Sequence, residues 1–248
     1  MFDISYFRDE PHVFYSFARE IFPSNFTPSP THNFIKLLED KGVLLRNYTQ
    51  NIDTLEQIAG ITNVLQCHGS FASASCIACG HRVNGSAIQD DIFKQQIPYC
   101  PICTQNNTVQ NELAIMKPDI VFFGESLPKS FDEALLADRE QVDLLVVMGS
   151  SLKVAPVSEI MGHLPHRIPQ IVINKTPITH MQFDVQLLGD CDTIVPELCR
   201  RLGWELEHEQ LPGGKASLGS SEVFTFHPPC TFAFQGAELP VRFLQQDE

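Results

Sequence analysis

Two Cys-x-x-Cys pairs, Cys76 with Cys79 and Cys100 with Cys103, constrain this chain more than any other feature in it. They are separated by twenty residues, 80 through 99. Each pair can grip one metal ion, and the loop between them brings both pairs to one tetrahedral four-sulfur site, the arrangement of structural zinc. With thiolate in all four positions no ligand position stays open, so the metal would be structural rather than catalytic. A redox pair or chance spacing is the alternative, and neighbouring Cys67 is a spare sulfur that four better-spaced ones leave unused. From Phe71 to about Asn111 periodicity is poor, and Gly80, Gly85, Pro98 and Pro101 interrupt it. Residues 71–111 therefore read as a zinc-binding module inserted into something more regular.

The regular part alternates strands and helices. Leu144-Leu145-Val146-Val147-Met148 and Gln170-Ile171-Val172-Ile173 are apolar runs of the kind expected for strands covered on both faces. Val43-Leu44-Leu45 running into Asn47-Tyr48-Thr49, Val64-Leu65-Gln66, and Ile120-Val121-Phe122-Phe123 before Gly124 read as further strands. Helices are expected from about Asp9 to Phe22 with Pro11 near the start, after Pro30 with Thr31 as N-cap and Gly42 as stop, from Asp53 to Ala59, and from Thr193 to Leu202 before Gly203. This order predicts a parallel α/β sheet with both faces covered. Such sheets bind ligands at the carboxyl ends of their strands. Here those ends are small and polar: Gln50-Asn51-Ile52-Asp53, Gly149-Ser150-Ser151 and Asn174.

Each of these groups has a plainer role. Asn51 and Asp53 can cap the helix that follows them, although capping does not account for the whole Gln-Asn-Ile-Asp run. Gly149-Ser150-Ser151 can be a tight turn, or a close backbone approach with hydroxyls that bind phosphate or ribose. His68, between the Val64–Gln66 strand and Gly69, can be a satisfied structural histidine. Its place beside a polar strand end favours a general base, since imidazole ordinarily titrates between pH 5 and 8. Val121-Phe122-Phe123-Gly124-Glu125 can be an edge strand, but adjacent phenylalanines point to opposite faces, so one can line a channel. Among fourteen glycines there is neither Gly-x-Gly-x-x-Gly nor Gly-x-x-x-x-Gly-Lys, so the usual cradles for nucleotide phosphate are absent.

Seventeen basic against thirty acidic residues give a formal charge of −13. That balance disfavours direct binding to nucleic acid and favours basic partners such as lysine-rich protein tails. There is no apolar run long enough to cross a bilayer and no basic-then-apolar leader at Met1-Phe2-Asp3-Ile4. A reducing intracellular compartment is expected, with nucleus and cytoplasm unseparated on these grounds. Residues 207–222, with Pro212-Gly213-Gly214, read as a flexible linker. In 223–248, the polar–aromatic alternation of Val223–Phe226 and Thr231–Phe234 predicts a hairpin that docks on a sheet edge, with a disordered tail as the alternative.

Taken together, Thr49-Gln50-Asn51-Ile52-Asp53, Cys67-His68-Gly69, the two cysteine pairs, Phe122-Phe123-Gly124-Glu125, Gly149-Ser150-Ser151 and Gly189-Asp190-Cys191-Asp192 resemble the sirtuins, the Sir2-type NAD-dependent protein deacetylases. The likeness runs from about Phe2 to Trp204. It is nearest to the nuclear, silencing branch, with Phe71-Ala72-Ser73-Ala74-Ser75 and Phe183-Asp184-Val185 in its style. The resemblance implies a Rossmann-like domain (1–70 and 112–206) with a smaller zinc-bearing domain (71–111), NAD and zinc as cofactors, and a nuclear location.

By the same resemblance His68 would be the general base, and Gln50, Asn51, Ile52 and Asp53 would hold the ribose and nicotinamide side. Gly149, Ser150, Ser151, Asn174, Lys175, Thr176 and Cys191 would line the adenosine side. Val121, Phe122 and Phe123 would form an acetyl-lysine tunnel, with Gly124 and Glu125 pairing with the peptide backbone. Substrates would be acetylated proteins such as histone tails and transcription factors. The family's glycine-rich Gly-Ala-Gly-Ile-Ser and Pro-Asp-Phe-Arg stretches would precede Met1, which implies a sheet without its central first strand. Two functions follow from this: a deacetylase, or a shortened, non-catalytic sirtuin that binds protein partners.

Overall fold

The computed structural model describes residues 2–22, 26–106, 114–155 and 157–240. Residues 107–111 of the expected zinc module and 241–248 of the expected hairpin segment lie outside the described residues. The elements run α1 (Ile4–Asp9), α2 (Pro11–Ile21), α3 (Pro30–Asp40), β1 (Asn47–Thr49), α4 (Leu55–Ile58), β2 (Val64–Gln66), β3 (Gly69–Cys76), β4 (Arg82–Asn84), α5 (Gln89–Phe93), α6 (Pro101–Asn106) and β5 (Met116–Ile120). They continue with α7 (Lys129–Asp138), β6 (Leu145–Met148), α8 (Ile160–His163), β7 (Gln170–Asn174), β8 (Val185–Leu188), α9 (Cys191–Leu202), β9 (Thr225–His227) and β10 (Thr231–Ala233).

The chain divides into two compact units. The first comprises Met1–Thr27, Asn47–Ile58 and Val64–Asp132. It holds the parallel pair β1–β2, with Thr49 opposite Gln66, and an antiparallel sheet in the order β4-β3-β5. Helix α2 begins at Pro11, whose fixed φ suits a first helical position, and buries Phe14, Tyr15 and Ala18. These join Phe7 and Phe122 in an aromatic core, with Phe7 and Phe122 edge to face at 5.3 Å between centroids. The Tyr15 hydroxyl donates to Met116 O at 2.5 Å, and burial, with Asp91 adding to it, pushes its pKa well above the ordinary tyrosine value.

The second unit comprises Pro28–Arg46, Ala59–Asn63 and Glu133–Glu248. Its sheet runs β6-β7-β8-β10-β9; β6, β7, β8 and β10 are parallel neighbours and β9 is antiparallel to β10. Helix α9 ends on Gly203 at φ 66°, a left-handed cap that glycine adopts without strain. Val195 and Cys199 of α9 pack with Phe34 of α3, Leu206, Leu211 and Ala216.

The parallel α/β character stands, but several elements differ from the sequence reading. Val43–Leu45 is not a strand. The N–H groups of Val43 and Leu44 both turn back to Leu38 O to close α3, and the Leu44 and Leu45 carbonyls accept the Asn63 side-chain amide. The cap of α3 is Ser29, not Thr31: His32 Nδ1 accepts the Ser29 N–H at 3.1 Å, and Thr31 instead donates to Asp192. Strand β5 starts at Met116, passes through Pro118 and ends at Ile120, so Val121–Phe123 lies beyond the ladder. Proline is tolerated there because β5 is an edge strand. Residues 207–222 carry 3-10 turns at Pro212–Gly214 and Ala216–Leu218 and bury Leu211 and Ala216.

Candidate active site and metal centre

The four cysteines converge. Their Sγ atoms all lie within 4.8 Å of one another, with Cys76 to Cys103 at 3.8 Å and Cys79 to Cys100 at 3.7 Å. A tetrahedron with metal–sulfur bonds of about 2.3 Å has edges of about 3.8 Å, so the sulfurs already stand at zinc spacing. The backbone arranges this. Cys76 ends β3 and donates to His81 O at 2.8 Å, while the Gly80 N–H turns back to Cys76 O at 2.9 Å. Cys100 donates to Ala114 O at 2.7 Å, and Cys103 follows on α6. The thiols are driven apart in acidity: the His81 N–H pulls Cys79 down to about 7, while the hydrogen bond with Cys79 pushes Cys103 up to about 12. Four sulfurs this close cannot all be thiolate without a cation among them, and the donor set suits zinc. Cys67 is not part of the group; burial pushes its thiol up to about 12.

In the same unit, His68 occupies the junction of β2 and β3. The Cys67 N–H donates to Thr49 O at 2.9 Å, which prolongs the β1–β2 ladder. Gly69 then turns the chain at φ 67°, where a Cβ would stand 1.9 Å from Asp119 O; no side chain fits. His68 O accepts the Val121 N–H at 2.8 Å. The half-buried ring places Nδ1 at 3.0 Å from Gln50 O. A carbonyl only accepts, so Nδ1 carries a proton, and in the neutral ring Nε2 is then the nitrogen with the lone pair. That is the tautomer a general base requires.

The Gln50–Asp53 run leaves β1 beside it. Asn51 N–H donates to Thr49 Oγ1 at 3.1 Å, and the Asp53 carboxylate accepts the N–H of Leu55, the first residue of α4, at 3.1 Å. Ile52 packs on the aromatic core and Asn51 is exposed.

The two phenylalanines of Val121–Glu125 do point apart, although the segment lies beyond β5: Phe122 is 1% exposed in the core and Phe123 is 67% exposed. The Phe123 N–H donates to Phe2 O at 2.8 Å and its carbonyl accepts the Ile4 N–H at 3.1 Å. Beneath it, Lys117 and Glu125 form an ion pair at 2.9 Å. The sequence reading named Glu125 but missed Lys117, which sits in Met116-Lys117-Pro118-Asp119 with no pattern to single it out.

The remaining candidates belong to the second unit, where the ends of β6 and β7 are tied together. Asn174 is buried, and its Nδ2 donates to Ser150 O at 3.1 Å and Thr176 O at 3.0 Å. Ser150 Oγ accepts the Leu152 N–H at 3.1 Å. The Gly149 N–H reaches Ile173 O at 3.1 Å, and the Gly189 N–H reaches Asn174 O at 2.9 Å. Lys175 pairs with Asp190 at 3.2 Å, and Cys191, first in α9, lies with Sγ 3.6 Å from Ile173 O. Burial, reinforced by Asp192, pushes the Cys191 thiol up. Gly149 and Ser151 are exposed at this end.

Residues 1–156 match the model of the Sir2 family. The chain is 57% identical over 205 residues to the NAD-dependent protein deacetylase sirtuin-1 of Rattus norvegicus, which is 83% of this chain and 36% of the rat protein. It is 52% identical over 217 residues to the NAD-dependent histone deacetylase sirtuin-1 of Drosophila melanogaster, 82% of this chain and 26% of that protein. With the NAD-dependent protein deacetylase HST1 of Saccharomyces cerevisiae it shares 42% identity over 233 residues, 85% of this chain and 46% of the yeast protein. The chain thus spans less than half the length of each of these relatives.

Proposed function

Since this chain belongs to the Sir2 family, we propose that it is an NAD-dependent protein-lysine deacetylase with His68 as its general base. The observation that carries the reading is the 3.0 Å contact of His68 Nδ1 with Gln50 O. It leaves Nε2 free to take a proton, and the Gln50 carbonyl stabilises the imidazolium that results. NAD, when bound, supplies the ADP-ribose that receives the acetyl group, and nicotinamide leaves. Gln50, Asn51, Ile52 and Asp53 hold the ribose and nicotinamide side; Gly149, Ser150, Ser151, Asn174, Lys175, Thr176 and Cys191 hold the adenosine side.

In this reading Val121 and Phe123 meet the acetyl-lysine, with Gly124 and Glu125 alongside the peptide backbone. Phe122 supports them from the core rather than from the tunnel wall. Zinc on Cys76, Cys79, Cys100 and Cys103 is structural. The acidic balance, −13 overall, suits lysine-rich substrates such as histone tails and transcription factors, and with them a nuclear location.

The test is mass-spectrometric detection of O-acetyl-ADP-ribose from the chain incubated with NAD and an acetyl-lysine peptide. We expect product from the wild type and a loss of about a hundredfold or more in His68→Ala, the scale of general-base catalysis. A zinc-loaded, folded chain that forms no product while still binding the peptide would make it the non-catalytic sirtuin instead.

A further inference from the structure

The segment assigned to the acetyl-lysine is held from below by a buried cation that the mechanism above does not use. Lys117 on β5 has a side chain only 8% exposed, with Nζ 2.9 Å from Glu125 Oε2. The ammonium also donates to Ile120 O at 2.7 Å and Pro118 O at 3.4 Å, and stands 4.3 Å from the centroid of the Phe122 ring. The same Glu125 Oε2 accepts the Phe122 N–H at 2.8 Å. One carboxylate oxygen therefore joins the ammonium on the strand to the backbone that leaves it. The Glu125 N–H closes on Phe122 O at 2.9 Å, around Gly124 at φ 90°.

We infer that Lys117 is a positioning residue. Through Glu125 it sets the conformation of Val121–Glu125 and hence the affinity for an acetyl-lysine peptide. Through the Val121–His68 backbone pair it holds the base in register with that segment. The substrate named rests on the deacetylase reading; the geometry rests on contacts inside one unit. An exposed lysine–glutamate pair would contribute little. This ammonium is out of water, so its hydrogen bonds are obligatory, and removing it leaves the part-buried carboxylate without its counter-charge. Two of its acceptors flank Asp119, whose own carbonyl lies so close to Gly69, directly after His68, that no Cβ fits there. The lysine thus shapes the strand end against which the catalytic junction is built.

Lys117→Met keeps the length of the side chain and removes the charge; Glu125→Gln keeps an acceptor for the Phe122 N–H. Hydrogen exchange over 120–125 and anisotropy of a labelled acetyl-lysine peptide are to be read on the full chain, with zinc content as the check on folding. We expect Lys117→Met to speed exchange at Phe122 and weaken peptide binding about tenfold or more, the consequence of an unpaired partly buried charge. Adding Glu125→Gln should recover most of both. If Lys117→Met loses its zinc, Glu125→Gln alone carries the test: faster exchange at Phe122 together with weaker peptide binding in a zinc-loaded fold supports the role, and unchanged exchange at Phe122 overturns it. A wild type that binds and a Lys117→Met chain that binds equally well would overturn the role of Lys117 alone. A wild type that binds no peptide, while exchange at Phe122 still answers to Lys117→Met, would overturn the deacetylase reading and the substrate role of Lys117 with it.

Discussion

At the end of α3 the Glu39 carboxylate gathers the Asn63 N–H at 2.6 Å, the Thr62 N–H at 3.1 Å and the Thr62 hydroxyl at 2.9 Å, with Lys36 Nζ at 3.3 Å. The Asn63 N–H is the largest cause, and together these bonds, against an opposing effect of burial, pull the carboxyl down to about 2. An unfolded glutamate titrates near about 4.3. The folded pKa is the lower of the two, so the stabilisation is complete above the unfolded value and is lost as pH falls through the window from about 4 to about 2. The urea midpoint of the wild type should therefore fall more steeply across that window than that of Glu39→Gln, and parallel slopes would contradict the contact. Gly69 sets a second test at this scale. A Cβ there would meet backbone, 1.9 Å from Asp119 O, and backbone cannot swing aside. Gly69→Ala should destabilise by about 2 kcal/mol or more, through φ strain together with the clash; a melting temperature like that of the wild type would refute the reading.

Among the elements, the four-cysteine cluster was legible because cysteine spacing is a distance constraint written directly in the chain. Strands β6 and β7 and helix α9 were legible for another reason: buried parallel strands and a capped amphipathic helix leave uninterrupted apolar patterns. What failed to read were elements settled by partners far along the sequence. Val43–Leu45 has strand composition, yet its amides close α3 and its carbonyls serve Asn63, eighteen or more residues away. Strand β5 carries Lys117, Pro118 and Asp119, which no periodicity marks as strand; pairing with β3 makes it one. Strand β8 was missed because Val185–Leu188 is short and follows Asp184, which spends its N–H on Gln170 O. In the site, the polar run and His68 could be named, but the proton's position on the ring could not, since it depends on Gln50 O meeting Nδ1 in space. The cap of α3 went to Thr31 when it belongs to Ser29, because either hydroxyl satisfies the rule and only the fold gave Thr31 to Asp192. Ser29→Ala should accordingly cost about 1 kcal/mol by urea unfolding. An effect as large from Thr31→Ala would have to come from the Asp192 contact instead.

At the scale of the molecule, the two units differ in what holds each of them together. The core of the first contains three of the metal-site cysteines, Cys76, Cys100 and Cys103, packed with Met116, Phe122 and Tyr15. The cores of the second are built from apolar side chains of α3, α9 and the five-stranded sheet and contain none of the four. Structural zinc contributes about 10–16 kcal/mol in small sites, comparable with or above the about 5–15 kcal/mol by which a domain is stable at all. Removing the metal should therefore unfold the first unit while leaving the second intact. Stripping zinc with a chelator and following hydrogen exchange should give rapid exchange through β3, β4 and β5 and continued protection in β6, β7 and α9. Protection lost equally in both units would mean that the second depends on the first. Protection kept in both would mean that the aromatic core of Phe7, Phe14 and Phe122 suffices without the ion. Under the expected outcome His68 and the Lys117–Glu125 pair are lost with the zinc, since both hang on the strands it anchors, and a metal with no part in the chemistry still decides whether the base has a place to stand.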